Sequence, residues 1–211
     1  MKLFALGLLG IALAFCGITE RLQKGIADVA DKGSNSSNTS RTKDDDVSAE
    51  KAEMTPAQQA IADEATEVKW AEQEITFKLP KGWNKMDVRK ESFNYGSPAT
   101  GFLIASVSVM ASDFPSDASI KAYYQSALEQ LKQGKYEKVR WLEIDGIKGV
   151  EWVEAPPEDK DGIRRFQWVA YRNYQGQNQY LNIIQSTKNT NFDKQRDAFA
   201  AILYSMKIPK G

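Results

Sequence analysis

Hydrophobic positions in the second two-thirds of the chain recur at two spacings, one with a period of two residues. Ile75, Phe77 and Leu79 alternate with polar residues, which predicts a half-buried strand. Residues 102–110 are almost continuously apolar and rich in β-branched side chains, which predicts a central strand covered on both faces. Further strands are predicted over residues 87–96, 136–144, 147–153, 165–174 and 179–185.

The second spacing is helical. Apolar residues at intervals of three and four from Ile120 to Leu131 predict an amphipathic helix that ends near Gly134. Residues 190–193 have the spacing of a capping box and open a second helix with Phe199 on its apolar face. Asp145-Gly146 and Gly176 are typical hairpin turns. The order of elements therefore predicts an α+β domain with a mostly antiparallel sheet flanked by helices.

The first third of the chain is built differently. Residues 3–15 carry no charge, but this stretch is shorter than the roughly 20 apolar residues that span a membrane. It has the length of a signal-peptide core and runs directly into Cys16, the one cysteine in the chain. We therefore predict a lipoprotein-type signal peptide over 1–16. A polar spacer with helical and disordered parts follows over 17–67, and the folded domain occupies 68–211.

Leu13 and Ala14 fit the short box that precedes the lipidated cysteine of bacterial lipoproteins, and the segment resembles that class of signal. Phe15 departs from the pattern, since a small residue is usual there. The resemblance implies a lipid on Cys16 that holds the exported protein at the membrane. Gly17 is not aspartate, which favours the outer membrane in a host with two membranes. Ordinary signal cleavage after Ala14 and a cysteine present by chance remain the alternatives.

Two stretches mark the ends of the folded domain: Ile75-x-Phe77-x-Leu79-Pro80-x-Gly82-Trp83 and Phe199-x-x-Ile202-Leu203-x-Ser205-x-Lys207-Ile208. With the single mid-domain helix between them, they resemble the PsbP-like family. Relatives in that family include DcrB-type lipoproteins, Mog-type Ran-binding proteins and extrinsic proteins of photosystem II. The resemblance implies a sandwich of helices on a sheet and a role in binding or assembly. It implies no shared enzyme activity.

The amino-acid composition excludes several kinds of functional site. The chain has no histidine, which removes the most frequent general base and metal ligand. The formal net charge is zero with both signs interspersed, so the basic footprint of a nucleic-acid-binding protein is missing. No catalytic or cofactor motif is present, and we predict neither enzyme activity nor a bound cofactor or metal. Glu151 and Glu154 offer a carboxylate pair of the kind glycosidases use, although a solvated strand face explains them better.

The candidate binding residues lie on the four hairpin strands, where aromatic and arginine side chains alternate. Such residues are enriched at binding hot spots, although most of the aromatics are expected in the core. The leading hypothesis is an exported, membrane-anchored, non-enzymatic lipoprotein that binds a protein, a peptide or a small molecule, or assists envelope assembly. The alternatives are a carboxylate-dependent envelope hydrolase without histidine and a structural surface module. The candidate surface comprises Arg140, Trp141, Trp152, Arg165, Trp168, Tyr171 and Arg172.

Overall fold

A computed structural model describes residues 48–211 of the chain. The predictions for the first 47 residues, including Cys16, lie outside this range. Within it, no helix combines the length and the apolar character needed to cross a membrane. The strands are β1 Glu50–Lys51, β2 Thr66–Trp70, β3 Ile75–Leu79, β4 Asn84–Val88, β5 Ser92–Ser97, β6 Gly101–Val109, β7 Tyr136–Ile144, β8 Ile147–Glu154, β9 Ile163–Tyr174 and β10 Gln177–Lys188. The helices are α1 Pro56–Glu64, α2 Ser116–Lys132 and α3 Asn189–Tyr204.

Eight strands form one sheet in the order β1-β7-β8-β9-β10-β6-β5-β4, and β2 pairs with β3 in a separate ribbon. Every neighbouring pair is antiparallel except β1 with β7. The predicted turn at Asp145-Gly146 has φ values of 50° and 77°, and the turn at Gln175-Gly176 has 51° and 71°. Two positive φ angles suit a two-residue hairpin turn, so both predicted hairpins are confirmed. The predicted α+β class is confirmed as well.

The two faces of the sheet are covered unequally. The β2–β3 ribbon and α3 seal one face and form the main core with fully buried rings such as Trp168, Phe93 and Phe199. Helix α2 packs on the opposite face across β7, β8 and β9, over a smaller apolar cluster. Helix α1 packs against α3. The result is a sandwich with the large sheet as its middle layer.

The covering of β6 differs from the prediction that both of its faces are buried. Ile104 is 39% exposed and Val109 59% exposed, whereas Leu103 and Ala105 are fully buried. Helix α2 reaches β10 only through ring contacts such as Tyr123 with Tyr180, so Ile104 on the same face of β6 has little cover. Val109 lies on the opposite face, at the last residue of the strand. An apolar sequence run therefore marked a strand correctly but overstated its burial.

The compact fold also begins earlier than residue 68. Strand β1 pairs in parallel with β7, and the backbone N–H of Ala52 donates to the Glu143 carbonyl at 2.9 Å. Thr55 and Gln58 form a reciprocal capping box at the start of α1, and the Gln58 amide donates to Asp197 of α3 at 3.0 Å. The polar composition of this segment predicts a spacer, since it offers little apolar surface to bury. Backbone pairing and capping hold the segment in the fold instead.

Candidate ligand-binding face beside helix α2

The seven predicted binding residues do not share one surface, because neighbouring residues of a strand point to opposite faces of the sheet. Trp141, Trp152, Arg165 and Tyr171 lie on the face that α2 covers in part. The remaining three candidates, Arg140, Trp168 and Arg172, lie on the opposite face.

Trp168 is sealed inside the main core. Its side chain has no exposed area, and the indole Nε1–H donates to the Leu142 carbonyl at 3.2 Å. The ring packs flush against Gly149, where an added Cβ would lie 2.6 Å from Trp168 Cε2. A ring in this position supports the sheet and has no route to a ligand.

Arg172 is also buried, and its hydrogen-bond acceptors are neutral. Nε donates to Gln179 Oε1 at 3.0 Å, Nη2 to Gln73 Oε1 at 2.7 Å and Nη1 to the Pro209 carbonyl at 3.2 Å. Burial lowers the pKa of Arg172 to about 10, because desolvation penalises the charged form. The guanidinium thus joins β9 to β10, the segment before β3 and the C-terminal residues.

Arg140 forms ion pairs within a buried cluster of charged side chains. It donates to both carboxylate oxygens of Glu151, at 2.8 and 3.1 Å, and Lys138 Nζ lies 3.1 Å from the same carboxylate. Glu151 has no exposed area. The pair of carboxylates that suggested a glycosidase is therefore split, since Glu151 is sealed and charge-compensated while Glu154 binds Arg165 at 3.1 Å.

The α2 side carries a different arrangement, built from stacked aromatic pairs. The apolar stripe of α2 places Tyr123 and Tyr124 on the sheet, where Tyr124 stacks on Trp141 with ring centroids 4.7 Å apart. Tyr123 stacks on Tyr180 of β10 at 5.7 Å and an interplanar angle of 14°. A bulge near the start of β7 brings Tyr136 onto this face, where it stacks on Trp152 at 5.9 Å and 14°.

Between these pairs lies a cavity of about 350 Å³, which we term the tyrosine cavity. Tyr123 at its rim keeps 38% of its surface exposed, whereas Trp152 is 8% exposed and contributes mainly a wall. Burial and the neighbouring Tyr123 raise the pKa of Tyr180, so this phenol stays neutral at ordinary pH. The cavity is lined by Tyr123, Ser126, Ala127, Tyr136, Trp152, Gln167 and Tyr180.

Two further openings flank the N-terminal end of α2 and share Tyr171 as a wall. The Tyr171 hydroxyl is fixed by a 2.8 Å hydrogen bond to Ser119. On one side lies a cavity of about 260 Å³ that includes Trp141, Lys121 and Lys148, with Lys148 Nζ 4.7 Å from the Trp141 ring centroid. A wider groove of about 600 Å³, with Phe114 and Asn178 in its lining, lies on the other side.

Three of these functional candidates were not singled out from the sequence. Tyr123 belongs to the helical stripe that predicts a buried face, and Gln167 is an ordinary polar strand residue. Tyr180 was visible only as one aromatic residue among many. Their role depends on the register that sets Gln167 beside Trp152 and Tyr180 beside Tyr171, which no local pattern reveals. Within residues 48–211, no group of three or more acidic, cysteine or histidine side chains is placed to hold a metal ion.

Comparisons with known proteins concern the fold. No family model matches the chain, and no curated protein sequence matches it. LpqN of Mycobacterium tuberculosis, described as involved in cell envelope biogenesis, superposes with a TM-score of 0.50 at 16% identity, over 71% of this chain and 95% of LpqN. CyanoP, the PsbP protein of Synechocystis sp. PCC 6803, gives a TM-score of 0.46 at 13% identity, over 69% and 94%. The Ran-binding protein Mog1p of Saccharomyces cerevisiae gives 0.39 at 12% identity, over 69% and 96%. The predicted PsbP-like fold is confirmed.

Proposed function

We propose that this chain is an exported, lipid-anchored binding protein of the cell envelope that performs no catalysis and holds its ligand on the α2 side of the sheet. One observation carries the proposal: two stacked aromatic pairs frame the tyrosine cavity, and Tyr123 stays 38% exposed at its rim. Small-molecule sites are typically concave, largely aromatic and equipped with a few polar groups. The tyrosine cavity has this composition and a typical size.

The proposal of a non-catalytic role rests on the chemistry of the same face. Among the described residues that line the three openings, Asp117 alone has a carboxylate. Glycoside hydrolysis by the usual route uses two carboxylates across the scissile bond. The geometry beside α2 supports holding a ligand in place without transferring protons to it.

Placement in the envelope rests on the N-terminal segment and on the fold. Cys16 follows a charge-free run of signal-peptide length, and a lipid there would tether the domain through the residues before β1. LpqN, which shares the fold, is described as involved in cell envelope biogenesis, and this supports an envelope role. A domain that binds without catalysis and is fixed to a membrane suits capture or assembly.

A fragment screen by saturation-transfer NMR on the full chain in detergent micelles tests the proposal. Fragments that bind the wild type are expected to lose most of their signal with Tyr123→Ala. They should keep it with Met86→Ala, a matched truncation of a side chain that is 55% exposed on edge strand β4. Fragments whose signal is unchanged by Tyr123→Ala, or a screen in which no fragment binds, would contradict binding at this face.

A further inference from the structure

The tyrosine cavity has a lining without charged side chains, and this limits the ligand. All seven lining residues are uncharged, and the pKa of Tyr180 is raised, so the wall does not ionise near neutral pH. A charged group moved from water into such a site loses its hydration without gaining an opposite charge. The cavity therefore discriminates against anions and cations.

The walls of the cavity also limit the shape of the ligand. The rings within the Tyr136–Trp152 pair and within the Tyr123–Tyr180 pair are nearly parallel, with an interplanar angle of 14° in each pair. Each stack restrains its own side chains before any ligand arrives, which lowers the ordering cost of binding. Ordered aromatic rings in the lining favour a ligand that has an apolar face to pack against them.

Polar groups at the cavity exclude a purely hydrocarbon ligand. Gln167 Nε2 donates to Asn182 Oδ1 at 2.7 Å, and this bond fixes the orientation of the amide next to the Trp152 wall. The Gln167 carbonyl oxygen can then accept a hydrogen bond, and the Ser126 hydroxyl and the phenol O–H groups can donate or accept. An apolar ligand would cover these groups without satisfying their hydrogen bonds, which weakens its binding.

We infer that the tyrosine cavity binds an uncharged saccharide, with a sugar ring against the aromatic walls and its hydroxyls bonded to Gln167 and the phenols. A pyranose ring combines the required properties: C–H groups on its faces, hydroxyls that both donate and accept around its edge, and no charge. This inference rests on the proposed function, because it names the ligand class of the same site.

Isothermal titration calorimetry on the full chain in detergent micelles tests the inference with three probes. They are triacetylchitotriose and cellotriose, which are neutral, and trigalacturonate, which is acidic. At least one neutral trisaccharide is expected to bind, and trigalacturonate is expected to bind about tenfold or more weakly than that sugar. Gln167→Glu should weaken neutral-sugar binding by about tenfold, and Tyr123→Ala by a similar factor. Met86→Ala should leave it unchanged.

The outcomes separate this inference from the proposed function. If an aromatic hexapeptide binds in a Tyr123-dependent manner while neither neutral sugar binds at millimolar concentration, binding at the face stands and the saccharide class is overturned. Tighter binding of trigalacturonate than of either neutral sugar also overturns it. Because Tyr123 and Gln167 are not fully buried, their variants are expected to fold, and circular dichroism checks this.

Discussion

Arg140 holds the buried carboxylate of Glu151 by two hydrogen bonds, 2.8 Å from Nε to Oε1 and 3.1 Å from Nη2 to Oε2. The Tyr204 hydroxyl at the end of α3 donates to the same carboxylate at 3.1 Å. Glu50 of β1 binds the outer side of the guanidinium. One arginine thus joins strands β1, β7 and β8 and the last helix, and the cluster lies on the face opposite the proposed ligand.

Removing Arg140 should destabilise the domain strongly, because it leaves the Glu151 charge without its main partner. We expect Arg140→Leu to lower the free energy of unfolding by about 3–5 kcal/mol, measured by urea denaturation. The double variant Arg140→Leu/Glu151→Leu should be more stable than the single one. Arg165→Leu, which breaks a half-exposed pair with Glu154, should cost less than about 1 kcal/mol. Equal losses for Arg140→Leu and Arg165→Leu would refute this account.

Gly149 is predicted to tolerate no side chain. An added Cβ would lie 2.4 Å from the Val169 carbonyl oxygen and 2.6 Å from the Trp168 indole. Gly149→Ala should cost about 1–3 kcal/mol or more and change the near-ultraviolet circular dichroism of the buried tryptophan. Gly134→Ala is the matched control: with φ +71° and open space around it, strain of about 1–2 kcal/mol is expected without a spectral change. Identical spectra for the two variants would contradict the packing.

Stability is expected to fall with rising pH in the alkaline range. Burial raises the pKa of Tyr180 and Tyr204 above the ordinary tyrosine value of 10.0, so the folded state keeps phenol protons that the unfolded chain releases. Their contribution is fully present below about pH 10 and is lost progressively above it. The pKa of Arg172 is lowered to about 10, so this residue favours the folded state as the pH rises. Its effect opposes that of two tyrosines, Tyr180 and Tyr204, and we expect the tyrosines to dominate.

Urea denaturation from about pH 9 to about pH 11 measures this loss. The free energy of unfolding should decline over that range, and Tyr180→Phe should make the decline shallower because one shifted phenol is gone. A flat or rising pH profile for the wild type would show that the tyrosine shifts do not govern alkaline stability.

Mass spectrometry of the mature N-terminus tests the anchor. We expect a lipid-modified Cys16 as the first residue and recovery of the protein in the membrane fraction. Cys16→Ser should abolish the modification and release the protein from that fraction. An unmodified peptide that starts at Phe15 would show ordinary signal cleavage and would contradict the lipid-anchor proposal.

The hairpins and the two long helices could be predicted because their information is local. The capping box predicted at residues 190–193 is wrong, because α3 begins at Asn189 and its N-cap, Lys188, makes no side-chain capping bond. Asp145-Gly146 adopts the positive φ angles that such a turn requires, and α2 keeps its apolar spacing throughout. Strand β1 could not be predicted, since backbone bonds to β7 and the ion pair of Glu50 with Arg140 stabilise it, and both are long-range contacts. Local patterns identify elements, whereas partner strands decide which short polar segments become ordered.

The location of the binding face could not be predicted from local sequence patterns either. Trp168 and Tyr171 are three residues apart on β9, so strand alternation puts them on opposite faces of the sheet. This alternation does not say which face is sealed, because that depends on how fully α3 and the β2–β3 ribbon cover one side and how far α2 covers the other. The proposed site exists where this cover is incomplete.

The central claim is that ligands bind on the α2 side, and the five tryptophans report on it directly. Trp141 and Trp152 lie on that side, whereas Trp70, Trp83 and Trp168 lie in the opposite core. The measurement is fluorine NMR of the full chain labelled with 5-fluorotryptophan, titrated with triacetylchitotriose, cellotriose and the fragment hits. The account predicts that the Trp152 resonance shifts while the three core resonances stay in place. Shifts confined to Trp70, Trp83 or Trp168, or no shift at saturating concentrations, would contradict it.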